Sequence, residues 1–190
     1  MYSRFSHNSL EIIKFWFSPQ VKNLWFEKNH EFDESILHRF GNFYQELATS
    51  LRTEGLNNSY ENIEEILSFI ITLDQFPRNM FRDTPKSFAT DDLALSLAKS
   101  ISQKEVDIKL PSLDHYNFLF MPFMHSENLE DQEEGLRHFS KIPGNDESVD
   151  YSKWHRDIIK QFGRFPHRNI ILGRPSTVEE QHFLKEFKGF

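Results

Sequence analysis

Cysteine is absent from all 190 residues. That excludes disulfides, thiolate metal sites and cysteine nucleophiles, and it fits a reducing, cytoplasmic setting. Long apolar runs are missing too. The most apolar stretch, ILSFIITL, is far too short to span a bilayer. The N-terminal MYSRFSHNSLEIIKFWF has neither the uninterrupted apolar core nor the small-residue cleavage site of a secretory signal. A soluble, unprocessed protein with no membrane partner is expected. A basic surplus is also lacking. The formal net charge is -7, and phosphate backbones reward a strongly basic face, so broad nucleic-acid binding is not expected. No GxxxxGK[ST] loop, GxGxxG turn, GxSxG elbow or HExxH helix occurs. The usual routes to nucleotide hydrolysis, dinucleotide redox chemistry, serine esterase chemistry and zinc proteolysis therefore lose their main sequence support, and no cofactor is implied.

What is present is aromatic and helical. Twenty phenylalanines in a chain that is 38% hydrophobic supply ample core for one compact domain over residues 1–190. Leu10, Ile13 and Phe17 begin a short helix. Phe32, Ile36, Phe40, Phe43, Leu47 and Leu51 carry a longer one at helical spacing. Asn62 with Glu65 reads as a capping box for a segment reaching Phe76, and Leu93, Leu97 and Ile101 mark another helix. Leu129 to Phe139 and Val149 to Phe162 give two more, and Ser176 with Glu179 would cap a last one through Phe187. No alternating strand or hairpin pattern emerges, although FLFMPFM has an extended look. The expected fold is all-α, a set of antiparallel helix pairs. Irregular stretches from Gln103 to Ser126 and from Gly163 to Pro175 interrupt it.

Polar residues at apolar positions mark the candidate chemistry. The stripe Ile63, Ile66, Leu67, Ile70 leads to Asp74, which places a carboxylate in the core near a helix C-terminus. Burial and the negative end of the helix dipole both disfavour that charge, so an arginine must neutralise it, with Arg78 and Arg82 nearest in sequence. In VDYSKWHRDIIKQF the stripe Tyr151, Trp154, Ile158, Phe162 leaves His155 at its edge, half in the core. Gly163 is a left-handed cap that ends this helix and delivers the chain into a loop of about a dozen residues, a length that is uncommon without a function. Phe165, Ile170, Ile171 and Leu172 anchor the loop, fixing Arg164, His167, Arg168 and Arg174. Fixed guanidinium forks either capture phosphate or carboxylate, or clamp buried acids of the protein itself; both readings use the same geometry. His125, Ser126 and Glu127 follow FLFMPFM, with Ser126 as an expected N-cap. A histidine and a glutamate so spaced suit acid–base work, and a stable metal site is not expected from them.

The blocks ITLDQFPRNMFRDT, LFMPFMHSENLEDQ and WHRDIIKQFGRFPHRNIILGRPSTVEEQHFL, in that order, resemble the largely bacterial domain of unknown function (DUF) family 924, from about Ile12 to Phe187. The resemblance implies an all-helical fold of the tetratricopeptide-like superfamily and no established activity. Its characteristic positions include Asp74, Arg78, His125, Glu127, Gln132, His155, Arg164, Arg168, Asn169 and Arg174. Three functional expectations follow. In a small-molecule site, Arg78, Arg164, Arg168, Arg174 and His167 hold an anionic group, His125 or His155 moves a proton, and Asp74 or Glu127 orients the histidine or acts as base. In a peptide-binding module, the arginine loop clamps an acidic or C-terminal segment beside exposed aromatics such as Trp16, Trp25 or Phe26. In a purely architectural reading, the same residues form a buried network that fixes the fold.

Overall fold

The computed structural model describes residues 5–55, 62–103 and 109–189, and among them every regular element is helical. Helix α1, Ser6–Trp16, buries Ser9, Ile12 and Trp16 and turns Leu10 to solvent at 53% exposure. The expected stripe of Leu10, Ile13 and Phe17 is thus rotated by about one position. Both stripes have helical spacing, and the indole decides between them. Trp16 is fully buried, with ring centroids 5.6 Å from Phe76 and 5.5 Å from Phe118. A short α2, Pro19–Lys22, follows. In α3, His30–Glu54, Asn29 accepts from the Phe32 N–H at 3.0 Å. Phe32, Ile36, Phe40, Phe43, Leu47 and Leu51 are all buried, as their spacing predicts.

Helix α4, Ile63–Ile70, is capped by Asn62 through the Glu64 N–H at 2.9 Å. It continues through a π-helical turn, Ile71–Gln75, into α5, Phe76–Met80. Pro77 has no N–H to give the carbonyl four residues back, and that carbonyl, Leu73 O, accepts from the Thr90 hydroxyl at 2.6 Å. Helix α6, Asp91–Ser102, buries Ala94, Leu97, Ala98 and Ile101. Helix α7, Leu113–His125, corrects the expectation of an extended FLFMPFM within an irregular Gln103 to Ser126 stretch. Pro122 reads as a breaker but sits inside the helix, where buried Phe118, Leu119, Phe120 and Phe123 hold the turn around it. Residues 104–108 of that stretch lie outside the described residues.

Helix α8, Leu129–Ser140, is capped by Asn128, which accepts from the Glu130 and Asp131 N–H groups. Ser126 therefore is not the N-cap; its hydroxyl donates to Asp131 at 2.8 Å. Helix α9, Asp146–Phe162, ends at Gly163 with φ 69°, the left-handed cap its sequence predicts. Helix α10, Val178–Glu186, opens with a capping box made by Thr177 and Glu180, one residue beyond the expected Ser176 and Glu179.

The helices fall into two compact units, one drawn from the chain up to Arg82 and from Lys86–Pro122, the other from Asp83–Pro85 and from Phe123 onward. In the first, α1 packs on α4, α3 on α5, and α4 on α6; in the second, α8 and α9 form a helix hairpin. Among the described residues no helix is long and apolar enough to cross a membrane.

Candidate functional site

Asp74 and Arg78 belong to the first unit, and His125, Glu127, His155, Arg164, His167, Arg168 and Arg174 to the second. The π-helical turn carries Asp74 into the core, where it is fully buried. Gln75 Nε2 donates to its carboxylate at 2.5 Å, and Arg78 Nη1 lies 3.4 Å from Oδ1. The same guanidinium forks onto Asp91 at 2.9 and 3.0 Å. Burial by itself lowers the Arg78 pKa, but Asp74 and Asp91 outweigh it and the guanidinium ends above its ordinary value. Arg82, the other arginine proposed for this carboxylate, is used elsewhere. It bridges Asp33 at 2.5 and 3.0 Å and donates to the Glu27 carbonyl at 2.9 Å.

In the second unit the loop after Gly163 is held by two bidentate arginine–carboxylate pairs. Arg174 places Nη1 2.6 Å and Nη2 2.9 Å from the oxygens of Glu127. Its Nε donates to Asn169 Oδ1 at 3.0 Å, and the Phe165 N–H also reaches Glu127, at 2.8 Å. Burial alone would raise the Glu127 pKa, but the Arg174 fork and the Phe165 N–H bring it below the usual carboxylate range. Arg164 grips Glu180 at 2.6 and 2.8 Å. The Thr177 N–H and Asn169 Nδ2 add to Glu180, at 2.7 and 3.2 Å. With the Arg164 bond as the main cause, the Glu180 carboxyl is lowered to about 2. Of the expected apolar anchors, Phe165 is fully buried whereas Ile170 is 88% exposed; the two ion pairs hold that part of the loop without it.

The buried face of α9 consists of Ser152, His155, Ile158 and Ile159. His155 is therefore inside, 5% exposed, rather than at the margin, while Tyr151 and Trp154 turn outward. Its Nδ1 lies 2.8 Å from the Tyr151 carbonyl. A carbonyl only accepts, so Nδ1 carries the proton and Nε2 the lone pair. The ring stands edge-on to Phe165, centroids 5.7 Å apart, and 6.4 Å from the half-buried His125. His167 lies 5.5 Å from Phe165 and stacks on Phe187 at 5.2 Å. The buried Arg168 guanidinium covers the Phe165 ring at 4.6 Å. Burial pushes His155 down to about 3 and His167 to about 4, with Arg168 and His125 adding to both shifts. Phe165 thus lies beside His155, His167 and the Arg168 guanidinium, and His125 lies next to His155.

Sequence reasoning missed Glu180. The signal was present, since Thr177 and Glu180 have capping-box spacing, but Ser176 and Glu179 match the same template one residue earlier. Gln132 explains how His125 is held, its Nε2 donating to the Met124 and Ser126 carbonyls that flank it, both at 2.7 Å. Chemically, imidazoles and guanidinium groups are of the kinds that hold anions and exchange protons. Among the described residues no group of His, Asp and Glu side chains is placed to hold a metal ion.

The family model described as "Bacterial protein of unknown function (DUF924)" matches residues 12–188. A solved structure of a protein of unknown function from Agrobacterium tumefaciens is similar to the chain at 32% identity and a TM-score of 0.77, over 96% of this chain and 99% of that one. A search of curated proteins finds no match.

Proposed function

The chain belongs to the DUF924 family of bacterial proteins, whose function is unknown, and on that premise we propose that its second unit binds a small anionic ligand. In this reading Arg168 supplies the fixed positive charge and His125, His155 and His167 supply donors that exchange protons. The observation that carries it is the clustering of His155, His167 and the Arg168 guanidinium about the buried Phe165 ring, with His125 beside His155 and with His155 and His167 lowered to about 3 and 4. Keeping such groups together destabilises the fold in mild acid, and a structural core needs none of them.

Arg164 and Arg174 take a supporting part, because Glu180 and Glu127 already fill their forks. Glu127 orients the loop through Arg174 and the Phe165 N–H. Asp74 and Arg78 are read as architecture of the first unit. The enzymatic form of the proposal has His125 or His155 move a proton of the bound molecule. The alternative, a tetratricopeptide-like groove whose arginine loop clamps an acidic peptide, requires arginine forks that are engaged here. It also expects exposed aromatics such as Trp16, Trp25 or Phe26; Trp16 is fully buried, whereas Phe26 is 76% exposed.

Thermal unfolding in the presence of phosphorylated metabolites, carboxylates and acidic peptides tests the reading. A ligand at about one hundred times its Kd adds about 2.7 kcal/mol, which raises the midpoint by roughly 5 to 10 °C for a chain of this size. The shift is expected with a small anion and is expected to vanish in a folded Arg168→Ala protein. A shift that survives Arg168→Ala, or one produced by peptides alone, removes the proposal.

A further inference from the structure

We propose that Ser112 and His115 form a nucleophile–base pair that hydrolyses a carboxylic ester with an apolar acyl group. The pair lies in the first unit and is independent of the anion-site reading. Ser112 Oγ is 2.8 Å from His115 Nδ1. Ser112 is exposed, whereas His115 is only 9% exposed. The hydroxyl is thus open to a substrate while the ring behind it is held by the protein. The Phe17 ring lies flat against the imidazole, with centroids 3.6 Å apart and planes at 12°, which fixes the ring's orientation beside Ser112. Burial lowers the His115 pKa and Lys22 adds to the effect, while Asp114 and Glu64 pull the other way. The net lowering keeps the ring neutral near pH 7, as a base requires. No GxSxG elbow is present, but such pairs recur on unrelated folds and are recognised by geometry.

The rings around the pair point to the acyl group. Phe17 also meets Trp25 and Phe118, each at 5.8 Å, and the exposed Phe26 stacks on Phe118 at 6.4 Å. An aromatic surface therefore runs from the imidazole to an open phenyl ring, a setting that favours an apolar chain. In the reaction, Ser112 Oγ bonds to the acyl carbon as its proton passes to His115 Nδ1. The bond from that carbon to the alcohol oxygen then breaks, and Nδ1 returns the proton to the departing alcohol. Water, giving its proton to Nδ1, attacks the acyl-serine, and the acid leaves as Ser112 recovers its proton. Ser112 immediately precedes α7, so the oxyanion forms near the positive end of that helix.

Hydrolysis of p-nitrophenyl butyrate by the full chain at about pH 7.5, followed as nitrophenolate release, tests this. Saturable release is expected, together with a fluorophosphonate adduct located on Ser112 by peptide mass spectrometry. A serine at this place also suits a helix cap, so two variants separate the roles. Ser112→Ala removes cap and nucleophile, whereas Ser112→Asp keeps a capping oxygen and removes the nucleophile alone. Both are expected to lose about a hundredfold or more in rate, as is His115→Gln. The acid limb of the pH profile is expected to bend below about 6.5, because the His115 pKa is lowered. Butyrate is expected to exceed acetate by about tenfold in kcat/KM, relative to their uncatalysed rates. No release, release that survives in a folded Ser112→Asp protein, or an adduct on another residue overturns the proposal. An acid limb above about pH 7, or full activity in folded His115→Gln, overturns His115 as the base. Equal rates for butyrate and acetate overturn the apolar acyl group.

Discussion

In the first unit a fully buried Asp74 shares one arginine with Asp91, so acids outnumber the base; in the second, Arg164, Arg168, Arg174 and three histidines outnumber Glu127 and Glu180. Both regions bury ionisable groups, but the compensation differs. Around Asp74 the partners are fixed at hydrogen-bonding distance, and the helix's own Arg78 closes the network one turn on. Around Phe165 two carboxylates, Glu127 and Glu180, hold the loop through Arg174 and Arg164, the Arg168 guanidinium lies over the ring, and burial lowers His155 and His167. The first arrangement is complete within the protein.

The contrast can be broken by substitution, beginning with the largest effect. Arg78→Met leaves a buried carboxylate uncompensated and is expected to lower stability by about 3–5 kcal/mol in urea titration. A loss under about 1 kcal/mol would mean that Asp74 does not depend on this pair.

Acid titration comes next and concerns the second unit. An unfolded histidine has a pKa near 6.5, and His155 and His167 fall to about 3 and about 4 in the folded chain. Between those values the unfolded state binds more protons, so their contribution is whole above about pH 6.5 and is lost as the pH falls. The steepest loss is about 1.4 kcal/mol per pH unit for each ring. Glu180 and Glu127, shifted the same way from 4.5, act only further into acid. Urea midpoints measured between about pH 7 and pH 5 should therefore decline, and His155→Gln should flatten the decline. A flat profile in the unmodified protein would show that the rings are not held neutral.

The smallest effect sharpens the comparison most. Glu127→Gln breaks the charge-assisted fork to Arg174 and should lower stability by about 2 kcal/mol. Glu127 also draws the His167 pKa upward, so the variant should titrate His167 at still lower pH in proton NMR. Loss of stability with no movement of His167 would leave Glu127 a purely structural clamp.

How far the sequence could be read depends on the element. The α3 stripe is unambiguous because Phe32 through Leu51 leaves no competing face. Buried Asp74 was legible for the same reason: it occupies the next position on a strong apolar stripe, and a buried charge demands a neighbouring arginine. His155 was misjudged because Tyr151 and Trp154 outweigh Ser152 in any hydrophobic count, yet it is Ser152 that is buried. Pro122 disguised α7, and adjacent Ser–Glu and Thr–Glu pairs made the α10 cap ambiguous by one residue. In each case local signals of equal strength competed, and packing chose between them.

By itself the sequence determined an all-α chain without thiol chemistry, a buried acid that must be neutralised, and a loop after Gly163 crowded with arginines. These follow from composition and from periods of three and four residues, which act along the chain. Only the tertiary structure decided that Glu127 and Glu180 take the forks of Arg174 and Arg164, that His155 and His167 meet at Phe165, and that His125 lies beside His155. A guanidinium accepts any carboxylate with equal chemical sense. Which one it meets is fixed by packing between residues far apart in sequence, and periodicity carries no information about such pairs.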